Sequence, residues 1–257
     1  MTQTALITGA SGGIGFELAK LHAKNGHQVI LVARRLEKLE ALKESITAES
    51  NVTVHVIPMD LGKKGAAQEL YGAVKAKGLH VDYLINNAGF GDFGLFHLAD
   101  QHKMDQMIEV NIMALTQLTR LFLPDMVKNK KGKILNVAST AAFQPGPTMA
   151  VYFATKAYVL HLTEAISDEI KNTGVTITAL CPGATESGFM DAADMNQSKL
   201  FKNKKLPSSA EVAAFGYKHM MRGTAVAIHG TMNYIMANAG RFAPRKMVVK
   251  IARLMME

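Results

Sequence analysis

The stretch Thr4-Ala5-Leu6-Ile7-Thr8-Gly9-Ala10-Ser11-Gly12-Gly13-Ile14-Gly15 decides the fold class of this 257-residue chain. Residues 4–8 predict a buried strand, and the residues from Gly13 onward predict a helix. Glycines between the two allow a tight turn, and they let backbone N–H groups approach an anion at the helix N-terminus, where the helix dipole favours negative charge. Such loops also serve as plain turns. The position between a strand and a helix is what predicts a site for the phosphates of a dinucleotide.

Short apolar runs alternate with longer helical patterns along the rest of the chain, which predicts a parallel sheet with crossover helices. Strands are expected at residues 4–8, 28–33, 52–57, 81–86, 132–138, 175–181 and 225–229. Helices are expected at 13–25, 36–48, 64–77, 151–173 and 207–222, with a long one around 104–122 that Pro124 ends or kinks. We predict a single domain, 1–257, with an α/β fold: a doubly wound Rossmann-type parallel sheet of about seven strands flanked by helices on both faces.

The composition excludes few functions. No apolar run reaches the roughly 18 residues that would cross a bilayer, and residues 1–9 lack a basic stretch followed by a signal-type apolar core. The lone Cys181 excludes an internal disulfide, so we expect a cytoplasmic protein. The net charge of +8 suits nucleic acid, a membrane surface or an anionic ligand. The basic clusters at 128–133 and 202–205 carry no nucleic-acid motif, and we expect no such partner.

The end of the second predicted strand indicates which dinucleotide binds. An NAD enzyme normally places Asp or Glu there for the ribose 2′-hydroxyl. This chain has Ala33, followed by Arg34 and Arg35. Guanidinium groups suit a 2′-phosphate by charge and by bidentate geometry. The alternative is that both arginines only begin a solvent-facing helix, but the missing acid beside two bases favours NADP(H).

Further motifs follow the glycine loop in a fixed order. They are Asp60-Leu61, Asn86-Asn87-Ala88-Gly89, Asn111, Ser139, Tyr152-x3-Lys156, and Pro182-Gly183 with Ser187. Together with the spacing Gly9-x3-Gly13-x-Gly15, the set resembles the short-chain dehydrogenase/reductase family over nearly the whole chain. Any one motif is common by chance, whereas the full series in this order is not.

The resemblance assigns roles to individual residues. It implies that Asn111, Ser139, Tyr152 and Lys156 are catalytic, with Asn111 supporting Lys156 through ordered water. It implies a cofactor site formed by Gly9, Ser11, Gly13, Ile14, Gly15, Arg34, Arg35, Asp60, Leu61, Asn87, Ala88, Gly89, Tyr152, Lys156, Pro182, Gly183, Thr185 and Ser187. The nine histidines show no metal-binding spacing, and we assign no metal.

The residue types fit carbonyl reduction, which needs a hydride on carbon and a proton on oxygen. No side chain supplies a hydride, so a nicotinamide cofactor must. A tyrosine hydroxyl can supply the proton, and Tyr152 and Lys156 are four apart on one helix face. We expect the ammonium to lower the tyrosine pKa; a fall of ~3 units corresponds to about 4 kcal/mol. Ser139 can donate a hydrogen bond to the substrate oxygen.

The sequence therefore predicts an NADP(H)-dependent oxidoreductase that reduces a carbonyl to a secondary alcohol, or runs the reverse reaction, with Tyr152 as general acid/base. Two alternatives stay open. One is a catalytically silent, dinucleotide-sensing regulatory protein, although such proteins usually lose the tyrosine or lysine. The other is an epimerase or dehydratase of the same superfamily, which normally has a different glycine spacing and a longer substrate domain.

Two segments belong to the substrate end. We expect residues 186–205 to form a mobile lid over a small to medium-sized apolar carbonyl or alcohol substrate. The C-terminal extension, 230–257, is rich in methionine and carries five bases against one acid; it packs near the cleft, forms a surface helix, covers an oligomer seam or contacts a membrane surface. The resemblance implies a homodimer or homotetramer through the two long mid-chain helices, where Met113, Leu162 and Ile166 are candidate seam residues.

Overall fold

Seven parallel strands form one sheet in the computed structural model, which describes residues 2–187 and 206–256. The strand order is β3-β2-β1-β4-β5-β6-β7. The strands are β1 Thr4–Thr8, β2 Gln28–Ala33, β3 Val54–Pro58, β4 Tyr83–Asn86, β5 Gly132–Val137, β6 Val175–Cys181 and β7 Val226–Ile228. All seven expected strands are therefore present, with ends that differ from the predicted ones by at most two residues.

Helices cover both faces of this sheet, which confirms the doubly wound Rossmann-type fold. They are α1 Gly13–Lys24, α2 Leu36–Glu49, α3 Ala66–Ala76, α4 Gln101–Ile108, α5 Leu115–Lys128, α6 Ala150–Glu169, α7 Ser209–Arg222, α8 Thr231–Ala239 and α9 Arg245–Met256. One apolar core lies between the sheet and α1, α2 and α7. A second lies between the opposite face and α3, α5 and the end of α6. No described helix is long and apolar enough to cross a membrane.

The order of the strands fixes where a ligand can bind. From β1 the chain moves outward through β2 to β3, and then returns to β4 on the other side of β1. The loops that leave β1 and β4 therefore diverge to opposite faces. In an open parallel sheet, the crevice at the carboxyl ends of two such strands is the usual ligand site.

A buried polar ladder ties the central strands to the helices above them. Asn86 Nδ2 donates to Asn136 Oδ1 at 2.9 Å and to Thr119 Oγ1 at 3.0 Å. Asn136 Nδ2 in turn donates to Thr163 Oγ1 at 2.9 Å. All four residues are buried, so each unmade bond would leave a desolvated polar group. The ladder thus fixes β4, β5, α5 and α6 relative to one another.

The prediction that Pro124 ends its helix is wrong, and the alternative that it kinks the helix stays a prediction. A π-helical segment, Glu109–Ala114, joins α4 to α5, and α5 continues through Pro124 to Lys128. Proline removes one backbone donor. The buried side chains of Leu118, Phe122 and Met126 lie on one side of this helix, and their packing against the sheet outweighs that loss.

Candidate active site

The glycine loop between β1 and α1 lies directly against the loop after β4. Gly9 has a left-handed φ of 67°, and a Cβ there would lie 2.9 Å from Ala88 Cα. A Cβ on Gly15 would lie 2.5 Å from the carbonyl oxygen of Gly9. Asn87 Nδ2 donates to the carbonyl oxygen of Thr8 at 2.9 Å, and Thr8 Oγ1 accepts from the backbone N–H groups of Asn87 and Ala88. Only glycine fits this closely packed turn.

The N-terminus of α1 is left open to the cleft. Its N-cap is Gly12, which has no side chain to accept from the first N–H groups, and its first turn has no acidic residue. Unpaired N–H groups and the positive end of the helix dipole form an anion site. The predicted residues Ser11, Gly13 and Ile14 line the same cleft. These features fit a pyrophosphate.

One part of the cleft holds five residues that lie at the ends of β2 and β3 or just after them, and that the sequence assigned to the cofactor site or to its 2′-phosphate. Ala33, Arg34 and Arg35 line the cleft, and both arginines are exposed. Asp60 and Leu61 lie across from them after β3. Asp60 Oδ1 accepts from the backbone N–H of Gly62 at 3.0 Å, which holds its carboxylate at this turn. Ala33, Arg34 and Arg35 themselves supply no carboxylate at the end of β2.

Asn111 lies in the π-helical segment and supports the loop after β4. Its Nδ2 donates to the carbonyl oxygen of Phe90 at 2.9 Å and to Thr155 Oγ1 at 3.1 Å, and its Oδ1 accepts from the Phe90 N–H at 3.1 Å. The side chain is buried. Asn111 thereby links the segment after Gly89 to α6. Its water-mediated link to Lys156 stays a prediction.

Tyr152, Lys156 and Ser139 line one wall of the cleft, at the carboxyl end of β5 and the start of α6. Lys156 Nζ donates to the carbonyl oxygen of Val137 at 2.7 Å and lies 5.7 Å from the centre of the Tyr152 ring. Ser139 Oγ accepts from the backbone N–H of Ala141 at 3.1 Å. Three groups that can donate a proton or a hydrogen bond therefore share one small region.

Burial controls the ionisation of this group. It raises the pKa of Tyr152 to about 12, although a hydrogen bond with Ser139 acts in the opposite direction. Burial also lowers the pKa of Lys156 to about 8. The expected fall in the tyrosine pKa is thus wrong for the protein alone, because removal from water disfavours the phenolate more than its neighbours stabilise it. At neutral pH Tyr152 keeps its proton and Lys156 is mostly charged.

The loop after β6 contributes the last four residues of the predicted cofactor site. Pro182, Gly183, Thr185 and Ser187 all line the cleft. Thr185 Oγ1 donates to the carbonyl oxygen of Gly183 at 3.0 Å. The predicted lid begins here, and its residues 188–205 lie outside the described part of the chain.

The complete cleft has a volume of about 840 Å³, and the predicted cofactor residues line one part of it. Several residues that line the rest of the cleft were not predicted, because no motif fixes their identity. They are Gln106, Val110, Gln144, Met149, Phe153, Asn233 and Ala252. Position in the chain signals only some of them: Met149, Phe153 and Asn233 lie at the start of a helix.

The C-terminal extension forms one side of the cleft. Met232 and Met236 of α8 and Met256 of α9 line it. Met256 is buried in an apolar cluster with Ala141, Met149 and Phe153, against which Phe93 and Tyr152 also pack. The expectation that the tail lies near the cleft agrees with this position, while other residues of α9 face solvent.

Comparison with known proteins identifies the family. The sequence profile described as "short chain dehydrogenase" matches residues 3–198. The chain belongs to the short-chain dehydrogenase family. It is 35% identical over 219 residues to a very-long-chain 3-oxoacyl-CoA reductase from Anas platyrhynchos, covering 82% of this chain and 67% of that one.

Two further relatives agree with this assignment. The NADP-dependent 3-hydroxy acid dehydrogenase YdfG from Salmonella typhi is 36% identical over 180 residues, covering 69% of this chain and 71% of its own. A short-chain dehydrogenase from Sphingobium yanoikuyae, solved in complex with NADPH, has a TM-score of 0.84 at 29% identity and covers 93% and 94% of the two chains. This short-chain dehydrogenase is therefore an oxidoreductase of a family that uses a nicotinamide cofactor and typically forms oligomers.

Proposed function

We propose that this short-chain dehydrogenase is an NADP(H)-dependent reductase that converts a carbonyl to a secondary alcohol, or catalyses the reverse reaction, with Tyr152 as general acid/base. One observation carries the proposal. Tyr152, Lys156 and Ser139 lie in the same cleft as the open N-terminus of α1. A proton donor and a phosphate site in one cleft match the two needs of the reaction.

The preference for NADP(H) is supported by charge at the end of β2. Arg34 and Arg35 are exposed in the cleft and Ala33 supplies no carboxylate. An Arg–phosphate pair is charge-assisted, and a carboxylate at this point would repel the 2′-phosphate. We expect NADPH to bind at least tenfold more tightly than NADH, about 1.4 kcal/mol.

The protein's own part in catalysis is to orient the carbonyl and move a proton. When bound, a nicotinamide supplies or accepts the hydride. Ser139 donates a hydrogen bond to the substrate oxygen and Tyr152 donates its hydroxyl proton to the same oxygen. The nearby Lys156 ammonium then stabilises the phenolate that is left. In the alcohol-oxidising direction the phenolate takes the proton back.

The substrate we propose is apolar and of small to medium size. Met149, Phe153, Met232, Met236 and Met256 line the same cleft as Tyr152 and Ser139, and three of them form an apolar cluster against which Tyr152 packs. Methionine side chains are flexible and polarizable, so such a wall accommodates varied apolar shapes. This surface suits a hydrocarbon group attached to the reacting carbonyl.

Replacing the proposed acid tests the reaction. Tyr152→Phe should keep NADPH affinity and lose about 10²–10⁴-fold in kcat, because the proton donor is gone while the phosphate site is intact. Tyr158→Phe is the matched control: Tyr158 lies on the same helix, is exposed, and its hydroxyl contacts Thr116 Oγ1 at 3.1 Å. Turnover is followed by NADPH absorbance over a panel of ketones.

The same experiment separates the alternatives. Wild-type kcat in Tyr152→Phe would exclude Tyr152 as the acid. A wild-type protein that binds NADPH but turns over no ketone and no secondary alcohol would instead favour the silent, dinucleotide-sensing regulator. The expected cytoplasmic location and homo-oligomeric state remain predictions; of the candidate seam residues Met113 is exposed, whereas Leu162 and Ile166 pack against the chain's own core.

A further inference from the structure

The outer surface of α9 carries two parallel stripes. Met247, Ile251 and Leu254 recur at helical spacing and are all exposed, with Leu254 67% exposed. Lys246 and Lys250 form an exposed basic stripe beside them. The opposite side of the helix, with Ala252 and Met256, is buried against the cleft. α9 is therefore apolar on two sides, and within residues 2–187 and 206–256 one of these sides is buried while the other is exposed.

The exposed apolar surface continues beyond α9. Phe242, in the connection from α8, is 91% exposed, and Met232, Tyr234 and Ile235 of α8 are each more than half exposed. Large exposed apolar patches on a soluble protein commonly mark an interaction site. This patch lies at the mouth of the cleft, since Met232 and Met236 also line that cleft.

The charge of this region is entirely positive. Residues 231–256 contain Arg241, Arg245, Lys246, Lys250 and Arg253 and no acidic residue. A second copy of the chain packed symmetrically on the patch would bring these bases toward their own copies, because a twofold interface pairs the same surface with itself. A surface rich in negative charge is the better complement.

We propose that α8 and α9 bind an anionic lipid surface. The exposed apolar side chains would enter the acyl boundary, and the lysines and arginines would contact the headgroups. This is the pattern of an interfacial amphipathic helix, in which apolar burial and attraction to anionic lipids act together. We propose a bilayer as the partner, because apolar and basic side chains occur side by side along the same helix and a bilayer offers both acyl chains and anionic headgroups.

Membrane contact would place the mouth of the cleft against the bilayer. An apolar substrate could then pass from the lipid to the methionine-lined wall without crossing water. This consequence rests on the proposed function, whereas binding to lipid does not. A vesicle-binding measurement therefore tests the surface even if the reaction is assigned wrongly.

The test is co-sedimentation of the full chain with phosphatidylcholine vesicles, with and without phosphatidylserine. We expect binding only to vesicles containing phosphatidylserine, and a loss of binding as salt is raised. Lys246→Gln with Lys250→Gln should weaken binding at least tenfold. Lys77→Gln with Lys128→Gln removes the same charge from exposed sites near the amino ends of β4 and β5, away from the cleft at the carboxyl ends, and should leave binding unchanged.

A second pair probes the apolar stripe. Ile251→Ser with Leu254→Ser should also weaken vesicle binding at least tenfold, with an unchanged thermal unfolding midpoint because both side chains are exposed. The proposal would be overturned if the wild type did not sediment with anionic vesicles, or if the two lysine pairs lost vesicle binding equally. It would also be overturned if light scattering showed a dimer that Ile251→Ser with Leu254→Ser dissociates, while the wild type bound no vesicles. The last would identify a second copy of the chain as the occupant.

Discussion

At the residue scale, the end of β2 decides the cofactor preference that we propose. Ala33 leaves room where a carboxylate would stand, and Arg34 places positive charge beside it. Ala33→Asp with Arg34→Ala should reverse the preference, because the new carboxylate can accept from a ribose hydroxyl and repels a phosphate. Dissociation constants for NADPH and NADH measure the change.

A matched loss of one arginine controls for net charge. Arg120 is exposed on α5, and Arg120→Ala should leave both dissociation constants at their wild-type values. Equal affinity of the wild type for NADPH and NADH would contradict the preference, as would a double variant that still binds NADPH better.

Tyr152 shows how a residue's chemistry depends on its surroundings. Four-residue spacing alone suggests that Lys156 lowers the tyrosine pKa. In the fold, Lys156 Nζ is directed to the carbonyl oxygen of Val137, and burial raises the pKa of Tyr152 to about 12. The spacing predicts which groups meet, but the balance between desolvation and nearby charge depends on the cleft.

At the scale of elements, α1 carries a buried histidine that links stability to pH. His22 is fully buried against the rings of His27, Tyr83 and Tyr217, and burial lowers its pKa to about 3, with His27 adding to the effect. The unfolded chain therefore binds a proton that the folded chain does not, between about pH 6.5 and pH 3. Stability falls as the pH is lowered through this range.

The size of this effect can be measured by denaturant unfolding at pH 7 and pH 4.5. His22 should account for roughly 2–3 kcal/mol of the loss in the free energy of unfolding. His22→Phe keeps an aromatic ring and should reduce the loss by that amount, whereas His97→Phe, at an exposed site, should not. An unchanged pH dependence in His22→Phe would show that another group controls acid unfolding.

At the scale of the whole molecule, residues of the C-terminal extension and residues that follow the strands of the sheet together line the proposed substrate pocket. Truncation after Gly240 removes α9 and exposes Ala141, Met149 and Phe153, which pack against Met256. We expect a folded protein with a higher KM for bulky apolar ketones and a smaller change for small ones, since only large groups reach this wall.

A single substitution tests the same wall with less disturbance. Met256→Ala should raise KM selectively for bulky ketones, and Met247→Ala, on the exposed side of α9, should not. If truncation and Met256→Ala leave KM unchanged for bulky and small ketones alike, the tail does not shape the pocket.

Much of the fold follows from local pattern. The strands at residues 4–8, 28–33 and 175–181 match β1, β2 and β6 end for end, because apolar and β-branched residues fill nearly all of each strand and turn residues bound it. The end of α5 was predicted wrongly from Pro124. The hydrogen bond that proline removes is offset by packing of Phe122 and Met126 against the sheet, and the residue type of Pro124 alone does not indicate that packing. The π-helical segment that contains Asn111 was not predicted either, because it too depends on how this helix packs.

The sequence by itself determined the fold class, the glycine loop after β1 and the motif residues that line the cleft, because these depend on glycine positions, strand ends and motif order. Only the tertiary structure decided how those residues are tied together, as in the bonds from Asn111 to Phe90 and Thr155. It also decided that Met256 lies beside Tyr152, across 104 positions of chain. Contacts between residues so distant in sequence arise from packing of whole elements, which no local pattern records.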